Sequence, residues 1–309
     1  MTDSSLTRLA YIAEVTYGTT PATPVFKKFR TTSIPSLSPE VAYLISDEIR
    51  DDRNIPSAVA SNISAQFDVP IEFSYGSFDD MLESLLGSTW ASNVLKNGVT
   101  QKSFTFENTF TTSAGARYQR IPGAVVNTMS LNVQANGKVE GSFGIMGQQA
   151  IASSTLITGA TYTAAPTTDF YKASNSLTVN IDSGSISAAL MGVQLNITNN
   201  DRMRPVIGSQ YTAGIGGGRF EVTGTLNAYF NDSLLYDKFL SDVYTNLTLT
   251  FADPSVGAGS VAIFLPKIKL TGGKVNAGAN NTDVMAEIQF TAVFDTTTAC
   301  AIRITRTPT

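Results

Sequence analysis

The stretch FDVPIEFSYGSFDDMLESLLG, residues 67–87, changes its hydrophobic period half-way along, and that change decides the fold class. Phe67, Val69, Ile71, Phe73 and Tyr75 alternate with Asp68, Pro70, Glu72 and Ser74. A period of two belongs to a strand with one buried face. After Asp79 the apolar residues Met81, Leu82, Leu85 and Leu86 recur at helical spacing. Ser77 or Asp79 offers the short side-chain oxygen that caps the first free helix N–H groups. The stretch reads as one half-buried strand followed by one short amphipathic helix.

The same order returns at residue 220 in FEVTGTLNAYFNDSLLYDKFL, an offset of 153. Phe67 falls on Phe220, Val69 on Val222, Phe73 on Leu226, Asp79 on Asp232, Leu82 on Leu235 and Leu86 on Phe239. Asn231 or Asp232 would cap the second helix. Further on, SFTFEN at Ser103 parallels TLTFAD at Thr248. RIPGAVVNTMSLNVQANGKVEGSFGIMG at Arg120 parallels FLPKIKLTGGKVNAGANNTDVMAEIQFTAV at Phe264, with Pro122 on Pro266 and Val139 on Val284. Each copy carries an Asn/Gly turn between two strands, which reads as a hairpin. The chain is therefore an internal duplication. The expected fold is mainly β: two tandem β-sandwich domains, each with one short flanking helix. The first domain spans residues 1–150 and the second 170–309. The Thr/Ala/Ser-rich residues 151–169 have little periodicity and read as a linker.

Composition supports extended structure and excludes much chemistry. Charged residues make up 15% of the 309, against about 25% in ordinary globular chains, and small polar residues fill the gap. The formal net charge is −4, with 21 basic against 25 acidic residues and no basic run. Gripping DNA requires many cations against its phosphates, so specific nucleic-acid binding is not expected. No segment has the length of a membrane span, and the N-terminus lacks the pattern of an export signal. One cysteine, Cys300, excludes an intrachain disulfide and a thiolate cluster.

There are no histidines, which removes Ser-His-Asp and Cys-His catalysis and imidazole metal ligands. The adjacent carboxylates Asp51-Asp52 and Asp79-Asp80 do not make a glycosidase pair, because sequence neighbours diverge rather than face each other across a substrate. The glycines at 214, 216, 217 and 218 lack the Lys-Ser/Thr and the following helix of a phosphate loop. Cys300 reads as a small buried hydrophobe and Trp90 as a core cap. No catalytic, metal or cofactor site is expected. The pairs Asp52-Arg53 and Asp201-Arg202, at matching places in two long polar loops, read as charges that fix register on a neighbouring subunit.

Several strings together resemble the major tail tube proteins of long-tailed, siphophage-type bacteriophages. They are EVTYGTTPATPVFKKFR near the start, DEIRDDRNI at Asp47, FSYGSFDDMLESLLGSTW at Phe73, LNVQANGKVEGSFGIMG at Leu131, TGTLNAYFNDSLLYDKF at Thr223 and the closing RITRTP. The resemblance implies a non-enzymatic subunit whose inner sheet joins those of its neighbours around a channel, in stacked sixfold rings. Two units per chain would make the ring a trimer; six chains, with the second unit decorating the outside, is the other arrangement the resemblance allows. The polar strand residues Asp68, Glu72, Ser74, Glu221, Thr223, Thr225 and Asn227 would face the lumen. Asp47, Glu48, Arg50, Asp52, Arg53, Asp201, Arg202, Arg204 and Arg219 would make contacts between rings. The resemblance further implies a tape-measure protein in the lumen, tail terminator and distal tail proteins at the ends, and DNA passing without specific binding. It places the protein in the virion, assembled in the host cytoplasm, with no membrane insertion. A tube subunit of a related contractile injection or secretion system would normally be about half this length. A β-rich surface adhesin would be expected to carry an export signal.

Overall fold

The computed structural model describes residues 6–182, 184–185, 190–230, 234–252 and 259–308. The first repeat holds β1 (Arg8–Ala13), β2 (Val25–Lys28), β3 (Glu40–Ile45), β4 (Ala58–Glu72), α1 (Asp79–Leu86), β5 (Val94–Lys96), β6 (Phe104–Thr112), β7 (Gly115–Gln134) and β8 (Val139–Gly147). Two short strands follow, β9 (Ile151–Ser153) and β10 (Thr161–Thr163). The second repeat opens with α2 (Ala173–Ser176), β11 (Leu177–Ile181), β12 (Gly184–Ser185), β13 (Leu190–Thr198), β14 (Arg202–Met203) and β15 (Ile215–Gly216). It continues with β16 (Glu221–Tyr229), α3 (Leu234–Leu240), β17 (Tyr244–Ala252), β18 (Ser260–Asn276), β19 (Met285–Ala292) and β20 (Arg303–Thr307). The fold is a mainly β sandwich, and α1 and α3 follow their strands as the change of period requires.

The two repeats share one topology. In the first, β4 pairs with β8, β8 with β7, β7 with β6 and β6 with β1, all antiparallel. In the second, β16, β19, β18, β17 and β11 pair in the same succession. The long strands β7 and β18 each serve two layers: their N-terminal halves pair with β6 and β17, their C-terminal halves with β8 and β19. Both bend through a bulge at the same place, between Val126 and Thr128 and between Leu270 and Gly272. An extra residue on one strand re-aims it, and here it lets one strand leave one sheet and enter the other.

The ladders correct the residue matching of the strand-plus-helix repeat. Gly144 faces Asp68, while its equivalent Gln289 faces Thr225. Asp68 thus corresponds to Thr225 rather than to Glu221, a slip of four. Phe106 likewise corresponds to Leu247, since Ile121 and Leu265 are their respective partners. An even slip leaves every side chain on its own face, so alternation cannot detect it.

Neither Ser77 nor Asp79 caps α1. The N-cap is Phe78 and makes no side-chain cap bond. Ser77 instead bonds Ser74 and Arg30, and Asp79 pairs with Arg306. Asn231 and Asp232 lie outside the described residues. Gly87 closes α1 in the left-handed conformation, with its N–H on Ser84 O.

The linker is strapped to the first repeat. β9 pairs with β7, and β10 runs parallel to β2. Phe26 stacks on Tyr162 at 5.5 Å, and the Tyr162 hydroxyl donates to Glu107. Glu107 is fully buried and ion-paired to Arg120 at 2.6 Å. The C-terminal strand β20 pairs with β18 of the second repeat and with β5 of the first. Cys300 and Ile302 are buried beside it, and Trp90 packs against the core beneath the Arg306 guanidinium.

Candidate functional site

The largest feature with a consistent chemistry is one face of a sheet. β13 pairs with β7 as well as with β16, so the inner sheets of the two repeats fuse. Strands β4, β8, β7, β13, β16, β19 and the C-terminal half of β18 follow one another without a break.

One side of this sheet is the core. Val69, Phe143, Met129, Ile197, Val222 and Phe290 are all at most 3% exposed, and the apolar cluster runs across both repeats. The seam between repeats is as apolar as their interiors, with Leu131 opposite Leu195 and Val133 opposite Val193. Within the second repeat Gly224 allows close packing of β16 on β19, because a Cβ would stand 2.3 Å from the Phe290 ring.

The other side is polar throughout. Asp68 and Glu72 on β4 share it with Glu140 and Ser142 on β8, Ser130 and Asn132 on β7, and Gln194 and Asn196 on β13. Thr223, Thr225 and Asn227 on β16 continue it, followed by Glu287 and Gln289 on β19 and Lys274 on β18. Thr223 and Asp68 are exposed, and Thr225, Asn227 and Glu72 are half-exposed. Glu72 is paired with Lys138, and Glu221, at the end of β16, with Arg219. Ser74 departs from the expectation: it is buried, held by Arg30 and Ser77, because the chain has left the strand by that point. Alternation marked only β4 and β16 in the sequence. The residues of β7, β8, β13 and β19 were missed, although MSLNVQ, VEGSF and VQLNIT alternate in the same way.

The charged loops form two arms at corresponding positions of the two repeats. The first is the hairpin of β3 with the start of β4, and its turn carries Asp47, Glu48, Arg50, Asp52 and Arg53. Its ion pair is Arg50 with Asp52, at 2.7 and 2.9 Å, rather than Asp52 with Arg53. That guanidinium holds the Asp52 carboxyl well below the usual carboxylate range. Arg53 adopts a left-handed backbone, φ 63°, at the turn.

The second arm, residues 199–219, contains β14 and β15 and carries Asp201, Arg202, Arg204 and Arg219. It folds back over the first repeat. Asn199 Nδ2 donates to Leu85 O at 2.9 Å and to Val126 O at 3.1 Å. Asp201 N donates to Asn127 Oδ1 at 2.9 Å, and Gln148 Nε2 to Thr212 O at 3.0 Å. Ile215 is buried against Val125 and Met146. A cleft of about 400 Å³ remains between this arm and the end of α1, with Asp201, Arg204 and Ser84 in its wall. Burial pushes the Asp201 carboxyl up to about 6, against a smaller opposing pull from the Gly218 N–H. Asp201 and Arg202 therefore do not act as an exposed pair.

Among the described residues no three His, Cys, Asp or Glu side chains gather as metal ligands. Among the same residues no helix is long and apolar enough to cross a membrane. The arrangement offers one extended polar sheet face and two charged arms.

No curated protein matches the sequence. A family model described as phage tail tube protein matches residues 4–292, nearly the whole chain. On the strength of that match the chain belongs to the phage tail tube protein family.

Proposed function

We propose that this tail tube subunit assembles as rings of three chains, each ring presenting six near-equivalent units around a channel lined by the polar face of the fused sheet. The observation that carries this reading is the β7–β13 seam. One chain already contains a junction between two like units, with seven ladder pairs from Gly192–Gln134 to Thr198–Thr128. Both free ends of the fused sheet match the two sides of that junction. Among the described residues, β18 pairs only with β19 beyond Leu270, and β4 only with β8 along residues 65–72. Thr32 N donates to Pro70 O on the outer side of β4, the side on which β13 pairs with β16 in the second repeat, and we take residues 32–38 as the counterpart of β13. Unpaired edges favour association, and repeating one rotational contact closes a ring. Pro35 and Pro39 keep this edge from pairing at random before assembly.

The wall of the channel carries Asp68, Glu72, Glu140 and Glu287 against Lys274, with Ser, Thr, Asn and Gln between them. Such a surface repels phosphates and lacks the cation density that retains DNA. It supports a conduit for DNA ejection that first holds a tape-measure protein. We assign the exposed tip of the second arm, where Ile207 is fully accessible, to contacts with the next ring. Tail terminator and distal tail proteins would meet the two ends of the stack. The subunits would assemble in the host cytoplasm.

Negative-stain microscopy of the purified protein, with light-scattering mass, tests this. Rings or tubes with a central hole and a ring mass of three 32.9-kDa chains are expected. A ring of six chains would contradict the trimer, and a protein that stays monomeric at every concentration and salt would contradict assembly.

A further inference from the structure

The two arms are equivalents and touch at Ile63 N and Gln210 O, yet among the described residues only the second docks on the body of the other repeat. The second arm rests on the first repeat at the β7 bulge, with Asn127 receiving Asp201 N and Val125 and Met146 receiving Ile215. The equivalent places on the second repeat follow from its ladders: Thr271 for Asn127, Lys269 for Val125, Thr291 for Met146. There Thr271 is exposed, and beside it the end of α3 and the start of β17 present exposed Leu240, Val243 and Tyr244. The first arm in turn exposes Tyr43, Leu44, Ile45 and Val59, with Leu44 67% accessible, and Ile49 at its tip is 98% accessible. Apolar side chains gathered on one hairpin and on one strand end mark surfaces that something covers.

We infer that the first arm of each chain docks on the second repeat of the adjacent chain in the same ring, as the second arm docks on the first repeat within one chain. The inference rests on the ring reading above and fixes what its units exchange. A rotation that carries the second repeat of one chain onto its own first repeat carries, when repeated, the first repeat of the next chain onto that second repeat. The seam and the arm travel together under this operation. Both uncovered surfaces are then accounted for by one contact. The charges on the two surfaces are opposite in sign. The arm tip carries Asp47, Glu48, Asp51 and Asp52 against Arg50 and Arg53, while Lys267 and Lys269 gather at the Tyr244 ring, 4.3 and 4.8 Å from its centre. Lys269 is already ion-paired to Asp242, so apolar cover contributes more than charge.

Cysteine cross-linking of assembled tubes tests the contact, using Tyr43→Cys with Lys269→Cys and a short bis-maleimide; Cys300 is buried and stays unreactive in the fold. Covalent products that grow to one ring of chains and stop there are expected, with neither single variant giving any. A ladder that continues past the ring size would show that the arm reaches another ring and would overturn the inference. So would a product confined to one chain, or no product in tubes of normal appearance. If that pair blocks assembly, Val59→Cys with Leu240→Cys asks the same question. Failure of the unmodified protein to form rings would overturn the ring reading together with this one.

Discussion

Leu195 and Leu131 face each other across the seam, 1% and 2% exposed, so each behaves as a core residue although they belong to different repeats. Replacing Leu195 by Ala should cost about 2–5 kcal/mol in urea unfolding, the range for a buried Leu that leaves a cavity. A cost under about 1 kcal/mol would mean that the repeats hold together without this packing. Asp201 makes the opposite kind of statement. Its folded carboxyl titrates at about 6, above an ordinary aspartate, so the fold favours the protonated form. That contribution is complete below about pH 4 and is lost as the pH rises through 6. Relative to Asp201→Asn, the wild-type melting midpoint should therefore fall between pH 4.5 and 7, by on the order of 2 °C. An unchanged difference would place Asp201 in solvent. The sequence marked Asp201, but not that its N–H bonds Asn127, which lies 74 residues away.

At the scale of elements, strand and helix were legible because period 2 and period 3.6 leave different marks on Phe67–Tyr75 and on Met81–Leu86. The register was not, since a four-residue slip preserves every face. Nor was the linker, whose Tyr162 acts through stacking and a buried hydroxyl rather than through periodicity. The strap gives a prediction of its own. Glu107→Ala leaves Arg120 buried without its carboxylate and should destabilise by about 3–5 kcal/mol, while replacing both by apolar residues of similar volume should restore most of the loss. Denaturant midpoints of the single and double variants decide this. Equal losses in the two would place the stability in packing rather than in the charge.

The whole molecule is organised by a junction that no local pattern announces. The duplication was visible in the sequence, but pairing of β13 with β7 depends on long-range register, and it turns two sandwiches into one continuous inner sheet. From that follow a core shared by both repeats and a polar face across seven strands. The family places the subunit in the tail of the virion, and the face of its fused sheet away from the core carries Ser, Thr, Asn and Gln with a few carboxylates. The most direct test of this account is a helical reconstruction of the assembled tube by electron cryomicroscopy. It should show Asp68, Ser130, Asn196 and Thr225 facing the lumen, with the β18 edge of each chain closed by the first repeat of the next. A lumen lined instead by β6, β1, β17 and β11 would contradict it.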